Sequence, residues 1–187
     1  DANLENRFDR TYLGPWNNQD PNYAWKHGGM ITDCIWECLS LEAIAYAYDA
    51  LYDYLDEDPE LIEFVRTNGL PVADGPELRT YIETYILRAG IRALQSRWIW
   101  GNEGHHQATA LALGLVLDDH SSRHPNSVDI VDYAYFGLGQ SAYILTNGLT
   151  RDGGGYESPS YNRFFLGFVK VARRMEELRA RHPDRYP

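Results

Sequence analysis

The segment Arg151–Asn162, RDGGGYESPSYN, holds the residue best placed for proton chemistry, Tyr161. Three consecutive glycines, Gly153, Gly154 and Gly155, make a turn where the backbone can pass close to a ligand. Ser158 followed by Pro159 signals a helix start, with a capping hydroxyl and a proline at the first helical position. This spacing predicts Tyr161 in the first turn of a helix, beside free N–H groups at the positive end of the dipole. A tyrosine that exchanges protons benefits from such a setting. The same residues also make an ordinary loop-to-helix junction with an aromatic anchor.

A second stretch, Trp100–Asp119, reads WGNEGHHQATALALGLVLDD. Asn102 is well placed to cap the helix that follows, with His105 and His106 in its first turn. A helix N-terminus disfavours the imidazolium, so a histidine there tends to stay neutral and can accept a proton or polarise a ligand. Adjacent helical positions point about 100° apart, so one of the two histidines is expected to pack or to face solvent. Two such junctions, one with Asn and paired His and one with Tyr, could converge on a single cleft. Proton removal beside a carboxylate needs that set: a donor that neutralises the carboxylate, a base, and an acid for the leaving oxygen.

A metal site drawn from His105, His106, Asp118, Asp119, His120 and His124 is disfavoured. A helix of about eleven residues would hold the two groups some 16 Å apart. No metal and no cofactor are expected. Cys34 and Cys38 lie four apart on one predicted helix face, where such residues are more often buried small hydrophobes than a bridge.

The elements that must position these residues read as helices. Asp1–Gly29 is a polar, extended arm, and a long helix runs from Met30 to about Tyr54 with apolar residues on most faces, which predicts burial. Asp56–Pro59 breaks it. A short helix follows over Pro59–Thr67, stopped by Asn68–Gly69. After a loop, Pro76 opens a helix to about Arg97, with Arg88 and Arg92 one turn apart on the same side. Gln107–Leu117 is helical and very apolar. Ser127 caps a helix to about Thr146, closed by Asn147–Gly148. The last helix runs from Pro159 to about Arg181. No stretch alternates long enough to predict a strand. The expected class is all-α, a single domain over residues 1–187 built of antiparallel helical hairpins, as a toroid segment or a bundle.

The composition fits this reading. A chain of 187 residues is one domain or a large piece of one, able to bury about 70% of its unfolded surface. Aromatics make up 13%, with 14 Tyr and 5 Trp, and such side chains supply the flat faces with polar edges that sugar clefts need. A net charge of −10 argues against nucleic acid or an anionic membrane as partner, and leaves any anionic substrate to be met by local groups. No run of 18 apolar residues is present, so no spanning helix is expected. No basic-then-apolar leader precedes Asp1, and export stays open.

The pairing of GNEGHHQATALALGLVLDD with DGGGYESPSYN some 40 residues later resembles the heparinase II/III-like polysaccharide lyases and related alginate lyases. The likeness covers roughly residues 98–170. It implies an incomplete (α/α) toroid, with the family's β-sheet domains absent from these residues. It also implies cleavage of an acidic, uronate-containing polysaccharide by β-elimination, and a periplasmic or secreted location. In this likeness Tyr161 resembles the catalytic tyrosine, general acid and often base. Asn102, or one of His105 and His106, resembles the group that neutralises the uronate carboxylate. Trp100, Glu103, Gln107, Glu157 and Asn162, beside them, are the candidate substrate-binding residues. Asn162 stands where many members carry histidine, and a further catalytic histidine of the family comes from later sequence. The expectation is therefore a toroid fragment with part of a site.

Two other readings use the same residues. A hydrolase on a helical toroid would need paired carboxylates, for which Glu103, Asp152 and Glu157 are available. A non-catalytic helical domain would use its Tyr and Trp surface to hold a glycan or a protein. Nothing in the sequence sets the oligomeric state.

Overall fold

The computed structural model describes residues 37–96, 99, 101–117, 124–137, 141–152, 154–155 and 158–186. The predicted arm Asp1–Gly29 and the start of the predicted Met30 helix, with Cys34, lie outside them. Among the described residues the chain is helical and forms no strand, only an isolated antiparallel bridge between Leu149 and Gly155.

Helix α1 spans Glu37–Leu51 and α2 Tyr54–Glu57. Burial of α1 on nearly all sides is not what the structure shows. Cys38, Leu41, Glu42, Ala45 and Tyr48 are buried at helical spacing, while Leu39, Tyr46 and Leu51 are exposed. One stripe is enough to dock a surface helix, and apolar residues outside it stay wet. Helix α3, Pro59–Thr67, starts where Asp58 accepts from the amides of Glu60 and Leu61, and stops before Gly69 at φ +89°. Helix α4, Gly75–Ile82, is capped by Asp74; it continues through a π-helical turn, Glu83–Leu87, into α5, Arg88–Gln95. Arg88 and Arg92 have different surroundings. Arg88 is buried and donates to the carbonyl of Pro125, whereas Arg92 is exposed.

The predicted Ser127–Thr146 helix is two helices, α7 over Ser127–Tyr135 and α8 over Ser141–Asn147. The break falls at Gly137, whose amide, like that of Phe136, closes back onto the carbonyl of Asp132. Asn126, not Ser127, caps α7, its side chain accepting from the Asp129 amide at 3.0 Å. Ser127 instead donates its hydroxyl to the carbonyl of Gly114.

Helix α6, His105–Val116, is the centre of the fold. It packs against α1, α5 and α7, and against α10, Leu166–Arg181. Its residues from His106 to Gly114 are buried without interruption. The surrounding core takes Leu41 and Ala45 from α1, Ile91 and Leu94 from α5, Ile130 and Ala134 from α7, and Val171 from α10. A helix apolar all round must have neighbours on every side, and α6 has them. A smaller cluster of Ile144, Phe165 and Phe168 ties α8 to the start of the last helical run.

Candidate functional site

The last helical run opens as expected, with Pro159 at its first position: α9 covers Pro159–Asn162, a 3-10 turn covers Arg163–Phe165, and α10 follows. The Ser158 carbonyl accepts from the amides of Tyr161 and Asn162, both at 2.9 Å, so Tyr161 does lie in the first turn. Ser158 makes no side-chain cap. The Tyr161 ring is exposed.

The second junction is shifted from its expected start. The helix begins at His105, and Gly104 is the capping residue, at φ +96°. Asn102 does not cap with its side chain. Its backbone carbonyl accepts from His105 at 3.0 Å and from His106 at 3.4 Å. Gln107 fills the capping role from inside, its Oε1 accepting from the Gly104 amide at 2.8 Å while its Nε2 donates to Glu103 at 2.9 Å. Glu103 and Gln107 are thus engaged in building the helix start.

Close backbone contact brings the two junctions together. A Cβ on Gly104 would lie 2.3 Å from the carbonyl oxygen of Phe164, and one on Gly167 would lie 2.3 Å from the carbonyl oxygen of Gly104. Only glycine fits either place, and Gly104 also occupies left-handed backbone space that side-chain-bearing residues avoid. This crossing sets the His105 ring edge-on to Phe164, with centroids 4.8 Å apart. Phe164 in turn meets the Tyr161 ring edge-on at 5.5 Å, and the Arg163 guanidinium lies over it at 5.0 Å. His105 and Tyr161 therefore flank one shared aromatic residue.

His106 turns the other way. It is buried, with Nε2 3.1 Å from the Tyr133 hydroxyl, which also reaches the Leu94 carbonyl at 3.4 Å. The structure separates the pair: His106 belongs to the core and His105 to the junction. Burial holds the His105 imidazole below the usual histidine range. The cations Lys170 and Arg163 push the same way, against the opposing field of Glu42.

Glu42 and Lys170 complete these surroundings. The Glu42 carboxylate is buried on α1 and receives both contacts of Lys170 Nζ, at 2.8 and 3.0 Å, together with the Tyr46 hydroxyl at 3.0 Å. The sequence held one hint of this pair, a carboxylate on the apolar stripe of α1, which demands a partner. Nothing local pointed to a partner 128 residues away.

The Gly-rich turn lies against the opening of the last run. Thr150 and Gly154 join across it at 2.7 Å, and Asp152 accepts from Thr150 and from the Gly154 amide. Asn162 Oδ1 is buried beside Gly155 and has no hydrogen-bond partner among the described residues. Trp100, Gly153 and Glu157 lie outside the described residues, as do Asp118, Asp119 and His120. Of the conceivable metal set, His124 pairs with Asp129 at 2.6 Å. Among the described residues no three His, Cys, Asp or Glu gather as a metal site, and no helix is long and apolar enough to cross a membrane.

No protein-family model matches the chain, and no curated protein or solved structure is detectably similar to it.

Proposed function

We propose that this chain is the helical part of a polysaccharide lyase of the heparinase II/III-like type, an (α/α) toroid segment that acts on an acidic, uronate-containing polysaccharide. The observation that carries this reading is the crossing at Gly104 and Gly167, with His105 and Tyr161 flanking Phe164. Both residues come from loop-to-helix junctions far apart in sequence, and they supply two of the groups that β-elimination uses, a donor for the carboxylate and a carrier for the proton.

In this reading the uronate carboxylate is received by Asn102 and by His105, a neutral donor kept so by burial. Neutralising the carboxylate lowers the cost of the carbanion-like intermediate. Tyr161 Oη takes the proton alpha to the carboxylate. The electron pair left behind forms the new carbon–carbon double bond as the 4-linked glycosidic bond breaks. The departing oxygen then receives a proton from the Tyr161 phenol, which restores the starting state. His106 takes no part, because its ring is committed to Tyr133 in the core.

The test is ultraviolet absorbance by the new double bond, with heparin, heparan sulfate and alginate offered separately. The family likeness assigns one catalytic histidine to later sequence, so the assay pairs this chain with one continuing past Pro187. A rise that Tyr161→Phe abolishes, and that His106→Gln leaves in place, supports the reading. No rise from either chain overturns it in favour of a non-catalytic binding domain.

A further inference from the structure

We propose that the groove between α1, α6 and α10 is a binding site for an anionic sugar residue, whose carboxylate or sulfate is received by Arg174 and Arg181. The choice of a sugar as ligand rests on the lyase reading, while the excess of cations belongs to the groove itself.

The groove encloses about 230 Å³. Its floor is apolar, with Leu111 and Leu115 of α6 and Leu178 of α10, and the Tyr46 ring forms part of its wall. Its rim is charged. Lys170, Arg174, Leu178 and Arg181 recur at helical spacing on one face of α10, and all four line the groove. Helix α10 is the basic element of an acidic chain. It carries five of the 17 Lys and Arg and two of the 27 Asp and Glu. Such asymmetry marks where an anion can approach a molecule whose overall field repels it.

The pairing along this face decides which cations are available. Lys170 is held by Glu42, whereas Arg174, at 2.8 Å, shares the one Glu177 carboxylate with Arg173, so the two guanidiniums together keep an unbalanced positive charge. Arg181 has no ion-pair partner among the described residues, and it lines the groove from the exposed last position of α10. Arginine offers the planar fork that fits a carboxylate or sulfate with two parallel bonds. Asp49 and Glu177, also on the rim, accept from sugar hydroxyls, and the tyrosine face and leucines receive the ring. Lys170 joins this groove to the surroundings of His105. From Tyr161 to Arg174 the helical run covers roughly 20 Å. A polysaccharide touching both is several sugars long.

The experiment is calorimetric titration of the full chain with size-fractionated alginate and heparan sulfate oligosaccharides at two salt concentrations, with a neutral cello-oligosaccharide as control. Arg181→Gln and Arg174→Gln are each expected to weaken binding of the acidic oligosaccharides about tenfold, the loss of one charged hydrogen bond. They should also flatten its salt dependence. Arg181 is exposed and without an ion pair among the described residues, so its replacement leaves the fold intact. Unchanged affinity and salt slope in both arginine variants overturn the proposal, as does the absence of any acidic preference in the wild type. Arginine-dependent binding with no ultraviolet product would retain this site and remove the lyase reading. Product formed by both arginine variants with the wild-type KM would do the reverse.

Discussion

Replacing Gly167 with alanine sets two opposed effects against each other at the place where the candidate site is assembled. Gly167 is the second residue of α10, and alanine in a helix is favoured over glycine by up to about 1 kcal/mol. Against this, the new Cβ would lie 2.3 Å from the Gly104 carbonyl oxygen and 2.4 Å from its carbon. Ordinary carbon–oxygen contacts begin near roughly 3.3 Å, so the two segments must part by about 1 Å. The atoms met are backbone, and no rotamer change relieves them. Overpacking of this kind costs about 1–3 kcal/mol, which outweighs the propensity gain. The expected result is a net loss of about 1–2 kcal/mol, and for a chain of this size each kcal/mol lowers Tm by about 2–4 °C. Gly69→Ala is the matched control. Nothing lies within 4 Å of its added Cβ, and its φ of +89° carries only left-handed strain of about 1–2 kcal/mol. Thermal melts measure the stabilities, and the NMR shift of the His105 ring protons, which senses Phe164, reads the geometry. Both variants should melt earlier, but only Gly167→Ala should move the His105 signals. A Gly167→Ala protein as stable as the wild type, with unshifted His105 signals, would show that these backbones do not meet.

Other consequences follow from the same surroundings. Because burial lowers the His105 pKa on folding, the unfolded chain binds the proton first as pH falls. Stability should therefore be fully present above about pH 6.5, the unfolded value, and decline as pH falls towards the depressed folded value. His105→Gln should flatten that part of a Tm-against-pH curve. Lys170→Met strips the buried Glu42 carboxylate of its cation and should cost about 1–3 kcal/mol by denaturant unfolding, since Lys170 is itself half exposed and the Tyr46 hydroxyl remains. A Lys170→Met, Glu42→Gln double variant should recover most of the loss. Tyr133→Phe removes the hydroxyl shared by His106 and the Leu94 carbonyl. It should cost about 1 kcal/mol without altering substrate turnover, which an activity assay at matched folded fractions would check.

The helix boundaries were legible wherever the chain carries strong punctuation. Asp58–Pro59, Asn68–Gly69 and Asn147–Gly148 end or begin helices as their local chemistry demands. The boundaries that slipped were set by contact with distant segments. Asn102 has the right side chain for a cap, but Gly104 takes the position, because only there can the backbone pass against Phe164 and Gly167. The continuous helix expected from Ser127 to Thr146 gave way at Gly137, where apolar periodicity alone offers no stop signal. At the site, the first-turn placement of Tyr161 and of both histidines could be read from spacing. The division of labour between His105 and His106 could not, since it depends on which neighbour, Phe164 or Tyr133, meets each ring.

The continuous burial of α6 gives the two halves of the candidate site unequal mechanical standing. His105 stands at the first position of the helix that every neighbour must release before it can open, so it is anchored to what should be the most slowly exchanging part of the molecule. Tyr161 belongs to a four-residue turn whose residues are none of them buried, next to a glycine loop. Amides near Tyr161 should exchange through small local openings, while those of α6 wait for global unfolding. A ligand bridging the two would therefore register as slowed hydrogen exchange in residues 158–165 and leave α6 unchanged. Tyr161 is the hinged partner in this arrangement, and His105 is the fixed one.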